Sequence, residues 1–180
     1  MFNGYIKYFR VWQGHELTQD EVNDLYEKRS IKAQDSCQNG WTWIEDGCFR
    51  FFSGRITWTE AESKCIGYGG HLASIHSESQ NQAIWELITD HSDFYVFIGL
   101  NDIEEEGVYS WSDGTSLTYL NWKSGFPLSD SSDRDYGVFW TKTVSQVYWY
   151  KWGNCFNNCE NKIAGYICKV FSVCNPRYSS

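Results

Sequence analysis

No stretch of this 180-residue chain approaches the roughly 20 consecutive apolar residues that a helix needs to cross a bilayer. Met1-Phe2-Asn3-Gly4-Tyr5 also lacks the charged start and apolar run of a secretory signal. No membrane insertion by this segment is expected. Positive charge is scarce: 15 Lys and Arg stand against 23 Asp and Glu, giving a formal net charge of −8. Without a basic stripe to offset it, such a field repels a phosphate backbone, so nucleic acid is not expected as a partner. Catalytic signatures are missing as well. There is no His-Glu-x-x-His and no Gly-x-Ser-x-Gly; His15, His71, His76 and His91 are scattered, and no carboxylate pair sits where its pKa values would split. The expectation is a protein that is not an enzyme. No Asn-x-Ser/Thr sequon occurs either, so the sequence supplies no glycan of its own.

Aromatic residues and cysteines are what the chain has in quantity. With 42% apolar and 18% aromatic residues, it can bury a proper core. Seven cysteines (Cys37, Cys48, Cys65, Cys155, Cys159, Cys168 and Cys174) show no paired Cys-x-x-Cys zinc pattern. That usage points to an oxidising compartment. Together with the absent signal, it leads to the expectation of a piece of a longer secreted or cell-surface precursor.

Along the chain, Gly4 to Trp12 is a β-rich aromatic run, and Thr18-x-x-Glu21 opens a helix whose apolar face is Val22, Leu25 and Tyr26. One strand and one helix cannot bury their own apolar surface. These residues resemble the closing strand and helix of a laminin-G or pentraxin-type jelly roll; a terminal extension packed on the main domain is the alternative. Lys28 to Ser36 reads as a linker. Cys37 to Trp41 and Asp46 to Phe51 then read as two strands around a glycine turn, which a Cys37–Cys48 bridge would close. Two amphipathic helices follow. Thr57-x-x-Glu60 precedes Trp58, Ala61 and Cys65, and Ser77-x-x-Gln80 precedes Ala83, Ile84, Leu87 and Ile88. After Tyr95 come short aromatic and β-branched runs and a long polar stretch from Asn121 to Asp135, which makes an α+β domain.

Eight short segments then occur in order: Gly40-Trp41, Gly47-Cys48-Phe49, Thr57-Trp58-x-x-Ala61-x-x-x-Cys65, Gly70-His71-Leu72-Ala73-Ser74-Ile75, Phe97-Ile98-Gly99-Leu100-Asn101-Asp102, Trp111-Ser112-Asp113-Gly114, Tyr119-Leu120-Asn121-Trp122 and Gly165-Tyr166-Ile167-Cys168. Together they resemble the C-type lectin-like domain. The resemblance implies two helices, antiparallel strands with paired terminal strands, and a long loop region carrying ligand contacts. The expected divisions are 1–33 for the jelly-roll fragment, 34–171 for the lectin-like domain and 172–180 for a tail. Trp58, Leu72, Ile75, Ile98, Leu100, Trp111 and Trp122 are expected in the core, with His71 structural. The family bridge Cys65–Cys168 would close about 100 residues, a constraint of up to roughly 4.7 kcal/mol in the chain-entropy model. For the second family bridge the expected cysteine is replaced by Tyr136, and a Cys155–Cys159 link is the economical repair. Cys174 is then unpaired or intermolecular.

In sugar-binding relatives, calcium at the main site is held by oxygen donors that here read Phe126-Pro127-Leu128, Arg134 and Trp152-Gly153-Asn154. Two donors have become hydrocarbon and one a cation, so no main calcium site is expected. Asp102, Glu106 and Asp135 match an auxiliary calcium site, with Ser129 and Asp130 nearby; the set is either a weak calcium site or a solvated acidic loop. Tyr136, Phe139, Trp140, Tyr148, Trp149, Tyr150 and Trp152 add aromatic surface, part of it core. The candidate ligand-binding residues are therefore Phe126, Leu128, Arg134, Trp149, Trp152 and Asn154. The leading expectation is a protein-interaction or assembly module among neighbouring domains of a longer chain; a lectin binding glycan without the main calcium site is the alternative.

Overall fold

The computed structural model describes residues 18–20, 23, 37–88, 95–128, 133–140 and 150–171. The readings placed on Tyr5 to Trp12, Ser129, Asp130, Val147 to Trp149 and Cys174 lie outside those residues. The chain divides into two units, Met1–Ser36 with Val173–Ser180, and Cys37–Ser172. Of the first, Thr18 precedes helical Gln19, Asp20 and Asn23, and Gln19 Nε2 donates to Asn23 Oδ1 at 3.1 Å.

The second unit opens with a hairpin of β1 (Thr42–Ile44) and β2 (Gly47–Ser53), joined through Glu45, whose φ is 51°. The first strand starts at Thr42, not at Cys37 as the sequence suggested. Gly40 at φ 84° and the Trp41 N–H donating to Gln38 O at 3.0 Å make residues 38–41 a turn, which the Cys37–Cys48 disulfide ties to β2.

Helix α1 (Trp58–Gly67) begins with a reciprocal cap: Thr57 Oγ1 accepts from the Glu60 N–H and Glu60 Oε2 accepts from the Thr57 N–H. Its buried residues, Trp58, Ala61 and Cys65, fall on one stripe. Trp58 Nε1 donates to Ile98 O at 2.9 Å, and Cys65 is bonded to Cys168. Helix α2 (Glu78–Glu86) is capped by Ser77 Oγ, which accepts from the Gln80 N–H at 3.0 Å. The Gln80 side chain turns back to accept from His76 N at 2.7 Å and donates to Asp46 Oδ1 at 2.6 Å. Gln80 and Asn81 are therefore buried polar residues on a helix whose apolar spacing alone marked Ala83, Ile84, Leu87 and Ile88.

The sheet runs β1-β2-β8-β4-β6-β7, with β3 (His71–Leu72) on β8 and β5 (Ser110–Trp111) on β4. Here β4 is Tyr95–Asn101, β6 Tyr136–Trp140, β7 Trp152–Cys155 and β8 Ile163–Val170. Among the described strands every pairing is antiparallel except β4 with β8. Strand periodicity sorts the interior into two layers. Val96, Ile98 and Leu100 join Phe49, Phe139, Ile167 and α2 in one; Phe97, Val138, Tyr166 and Cys168 join α1 in the other.

Charged groups stitch these layers. Lys169, 1% exposed, donates through Nζ to Asp46 Oδ2 at 2.8 Å and Ser74 Oγ at 3.2 Å. Glu62 Oε1 meets His71 Nδ1 at 2.5 Å, while Oε2 accepts from Leu72 N and Ser112 Oγ. Burial alone would raise the Asp113 carboxyl, but hydrogen bonds from Ser74 and Thr115 outweigh it and hold the pKa below its ordinary value.

Candidate ligand-binding site

Trp152 organises the long-loop half. Its side chain is fully buried, ringed edge-on by Trp111, Tyr119, Trp122 and Phe139 at 5.4–6.4 Å between centroids, and its Nε1 donates to Asn81 Oδ1 at 2.8 Å. This corrects the assignment of Trp152 to the ligand surface. All four residues of β7 are buried, so this strand does not alternate between core and solvent. The polypeptide around it is irregular and is held by side chains. Trp152 N donates to Asn121 O and Lys123 N to Trp152 O, both at 2.8 Å, and the Nδ2 groups of Asn81 and Asn121 both donate to Tyr150 O. Trp122 is half-buried and not a full core residue.

Asn154 is the clasp of the loop. Its Oδ1 accepts from Leu128 N at 2.9 Å, and its Nδ2 is shared among Leu128 O, Tyr109 Oη and Arg134 O at 2.9–3.2 Å. The Phe126–Pro127 peptide is cis. Asn154 is therefore buried and spent on the loop, although the sequence had offered it as a ligand contact. Calcium does not fit here. Phe126 and Leu128 present hydrocarbon, both ends of the Asn154 amide are in use, and a Cβ at Gly153 would lie 2.2 Å from Trp140 Nε1, so the indole fills that space.

The acidic turn is different. Asp102 is buried; its Oδ2 accepts from Gly107 N at 2.9 Å, and its Oδ1 has no hydrogen-bond partner among the described residues. Burial, reinforced by Asp102, pushes the Tyr109 hydroxyl pKa up. Desolvation and then the charges of Asp102, Asp135 and Asp133 raise that of Glu106. Asp135 Oδ2 accepts from Asn157 Nδ2 at 2.8 Å. Among the described residues, no group of three His, Cys, Asp or Glu side chains is arranged to hold a metal.

Beside the Asn154 clasp lies an open pocket of about 110 Å³. Phe126 and Tyr95 meet the Trp140 indole edge-on at 5.6 and 5.0 Å, and Lys123 Nζ sits 4.2 Å over that indole. The Arg134 guanidinium lies 3.6 Å over the Phe156 ring, and Lys162 completes the rim. Cys155 and Cys159, bonded to each other, form its far wall. The pocket thus unites Phe126, Arg134 and Asn154 from the candidate set; Leu128 is half-buried beside them. Tyr136 stacks on Trp58, Tyr150 packs tilted against Trp85 at 4.5 Å, and Phe139 is core. Tyr95, Lys123, Phe156 and Lys162 were not anticipated; only the cysteines flanking Phe156 hinted at an ordered loop.

The Lectin C-type domain family model matches residues 54–170. The chain belongs to the C-type lectin domain family. This C-type lectin domain is 36% identical over 124 residues to the galactose-specific lectin nattectin of Thalassophryne nattereri, covering 64% of this chain and 78% of that protein. Rheacalcin-2 of Rhea americana is 36% identical over 120 residues, 56% of this chain and 84% of its own length. Among solved structures, the cow CD23 C-type carbohydrate-recognition domain, determined with a GlcNAc2Man3 oligosaccharide, superposes with TM-score 0.65 at 25% identity over 78% of this chain and 99% of that one. A calcium-independent type II antifreeze protein gives 0.61 at 27% identity, over 77% and 96%.

Proposed function

We propose that this domain is a non-enzymatic extracellular lectin that takes carbohydrate in the pocket between Phe126, Trp140 and Arg134, without calcium at the family's main site. The carrying observation is Asn154: its amide bonds loop backbone at both ends and its former partners are hydrocarbon, so no oxygen set remains for the ion. Sugar binding by the nattectin and CD23 relatives supports the ligand class, and the calcium-independent antifreeze relative supports a fold that stands without the ion. Phe126, on the pocket wall, offers an aromatic ring to the apolar face of a pyranose. Any calcium at the Asp102 turn would be weak, because Asp102, Glu106 and Asp135 are not arranged as a ready metal site.

Titration of wild type and Phe126→Ala with monosaccharides, with and without chelator, tests this reading. Binding that is chelator-insensitive and lost in Phe126→Ala is expected; binding abolished by chelator would overturn it.

A protein-interaction role is the second reading, favoured by exposed Ile66 and Tyr68 and by Tyr68 stacking on Phe52 at 5.0 Å. The assignments of residues 1–33 to a neighbouring jelly roll and of the whole chain to a longer precursor belong to this reading.

A further inference from the structure

The turn after β4 concentrates negative charge. Asp102, Glu104, Glu105 and Glu106 follow one another closely, and Asp102 N donating to Asp135 O at 3.1 Å brings Asp135, and Asp133 before it, alongside. None of these carboxylates is in an ion pair with another described residue. Residues 129–132 read Ser-Asp-Ser-Ser and bring no cation. The charges of Asp102, Asp135 and Asp133 all act on Glu106.

Two further features separate this turn from an ordinary solvated loop. Asp102 is 4% exposed and its carboxylate points into the turn, where Oδ2 accepts from Gly107 N at 2.9 Å while Oδ1 has no hydrogen-bond partner. A buried anionic oxygen left unsatisfied is costly, and a donor supplied from outside would recover that cost. On either side of the acids, Ile103 and Val108 are 51% and 54% exposed, so aliphatic side chains frame the charge. A metal ion needs several ligands already converging, and among the described residues no such group exists. A lysine ammonium has no such requirement: it carries three N–H donors on a slender apolar stem.

We propose that the Asp102–Val108 turn is a docking surface for a basic segment of a protein partner, which sets a lysine ammonium at the Asp102 carboxylate beside Glu106 and Asp135 and rests its aliphatic residues on Ile103 and Val108. Charge complementarity selects this occupant. A chain of formal net charge −8 repels acidic proteins and steers basic ones, and this turn gives them an acidic centre with an apolar frame. None of these residues lines the sugar pocket. The proposal rests on the protein-interaction reading and gives it a surface apart from Ile66 and Tyr68.

NMR titration of the full chain in EDTA at low salt, with acetyl-Leu-Lys-Leu-Lys-Leu-amide and with the same peptide carrying Gln for Lys, tests it. The lysine peptide is expected to bind roughly tenfold more tightly or better, to move the amide signals of Ile103, Glu106 and Val108, and to weaken as salt screens the charges. Glu106→Gln and Ile103→Ser change exposed side chains outside the core, and each should weaken binding by roughly threefold or more. Glu45→Gln removes the same charge from the exposed β1–β2 turn and should leave binding as it is. An equal loss in Glu45→Gln would reveal general attraction to an acidic protein and overturn the proposal. So would tight binding of calcium, titrated alone without chelator, that disappears in Glu106→Gln, since the turn would then be a metal site. Peptide binding that survives both turn variants and is lost in Tyr68→Ser would overturn the turn and leave the protein-interaction reading standing on Ile66 and Tyr68. Absent or equal binding of the two peptides would likewise overturn the turn and leave that reading only its other surface.

Discussion

The half of the domain around β2, β3, β8 and α1 and the half around the long loop solve the same problem differently. In the first, backbone groups pair with each other: six β2–β8 partners run in register from Cys48–Val170 to Ser53–Gly165, and Cys65–Cys168 fastens the helix to the sheet. In the second, the chain from Tyr119 to Leu128 forms no strand beyond the bridge of Trp122 to Trp152, and buried asparagines satisfy its backbone. A buried peptide group left unpaired is costly, so an irregular loop can be buried only if polar side chains go in with it. The lesson is that a buried Asn in such a fold is first a substitute for a missing strand and only then a candidate ligand.

Breaking the second half at its centre gives the largest expected effect. Trp152→Ala removes an indole packed by four aromatic rings and takes the donor from Asn81 Oδ1, so a loss of about 4–5 kcal/mol is expected in chemical denaturation. A loss under about 2 kcal/mol would mean the loop half contributes little to the core. For the first half, the double replacement Cys65→Ser and Cys168→Ser frees a closure of 103 residues and should cost about 4 kcal/mol, measured in the same way. If the halves differ as described, this variant lowers global stability while leaving hydrogen exchange at Lys123 and Phe126 in its native order.

The comparison is sharpened by Asn154→Ala, expected to cost about 2 kcal/mol through the unpaired Leu128 and Arg134 backbone groups. Exchange at Phe126 and Leu128 should rise while β2 and β8 keep their protection; uniform loosening would refute a separable loop clasp. The smallest effect concerns His76, where burial and then the Lys169 charge lower the imidazole pKa. The unfolded chain then binds its proton first, so as pH falls below about 6.5 stability declines until the folded imidazole also protonates. An NMR titration placing the His76 midpoint at or above about 6.5 would contradict this.

Much of the first half was legible in the sequence. The Thr57-x-x-Glu60 box and the Trp58, Ala61 and Cys65 stripe each state their structure within a few turns of one helix. The β1 start was misjudged because Gly40 and a disulfide, and not residue preference, set where the hairpin begins. In the second half the same reading assigned Trp152 and Asn154 to the ligand, since aromatic and amide side chains in a polar loop carry no mark of being buried.

What the sequence offered by itself is chemical: hydrocarbon at Phe126 and Leu128 and a cation at Arg134 are not calcium ligands. It also determined the two helices, because caps and apolar stripes are local. Only the tertiary structure decided that Tyr95, Phe126, Arg134, Trp140 and Lys162 form one pocket and that Trp152 lies beneath the loops as core. These residues are brought together by the packing of β4, β6 and β7 and by side-chain bonds that reach 26 residues from Asn154 to Leu128 and 71 from Trp152 to Asn81. Contacts at such separations depend on how whole elements pack, and no pattern within a single element records them.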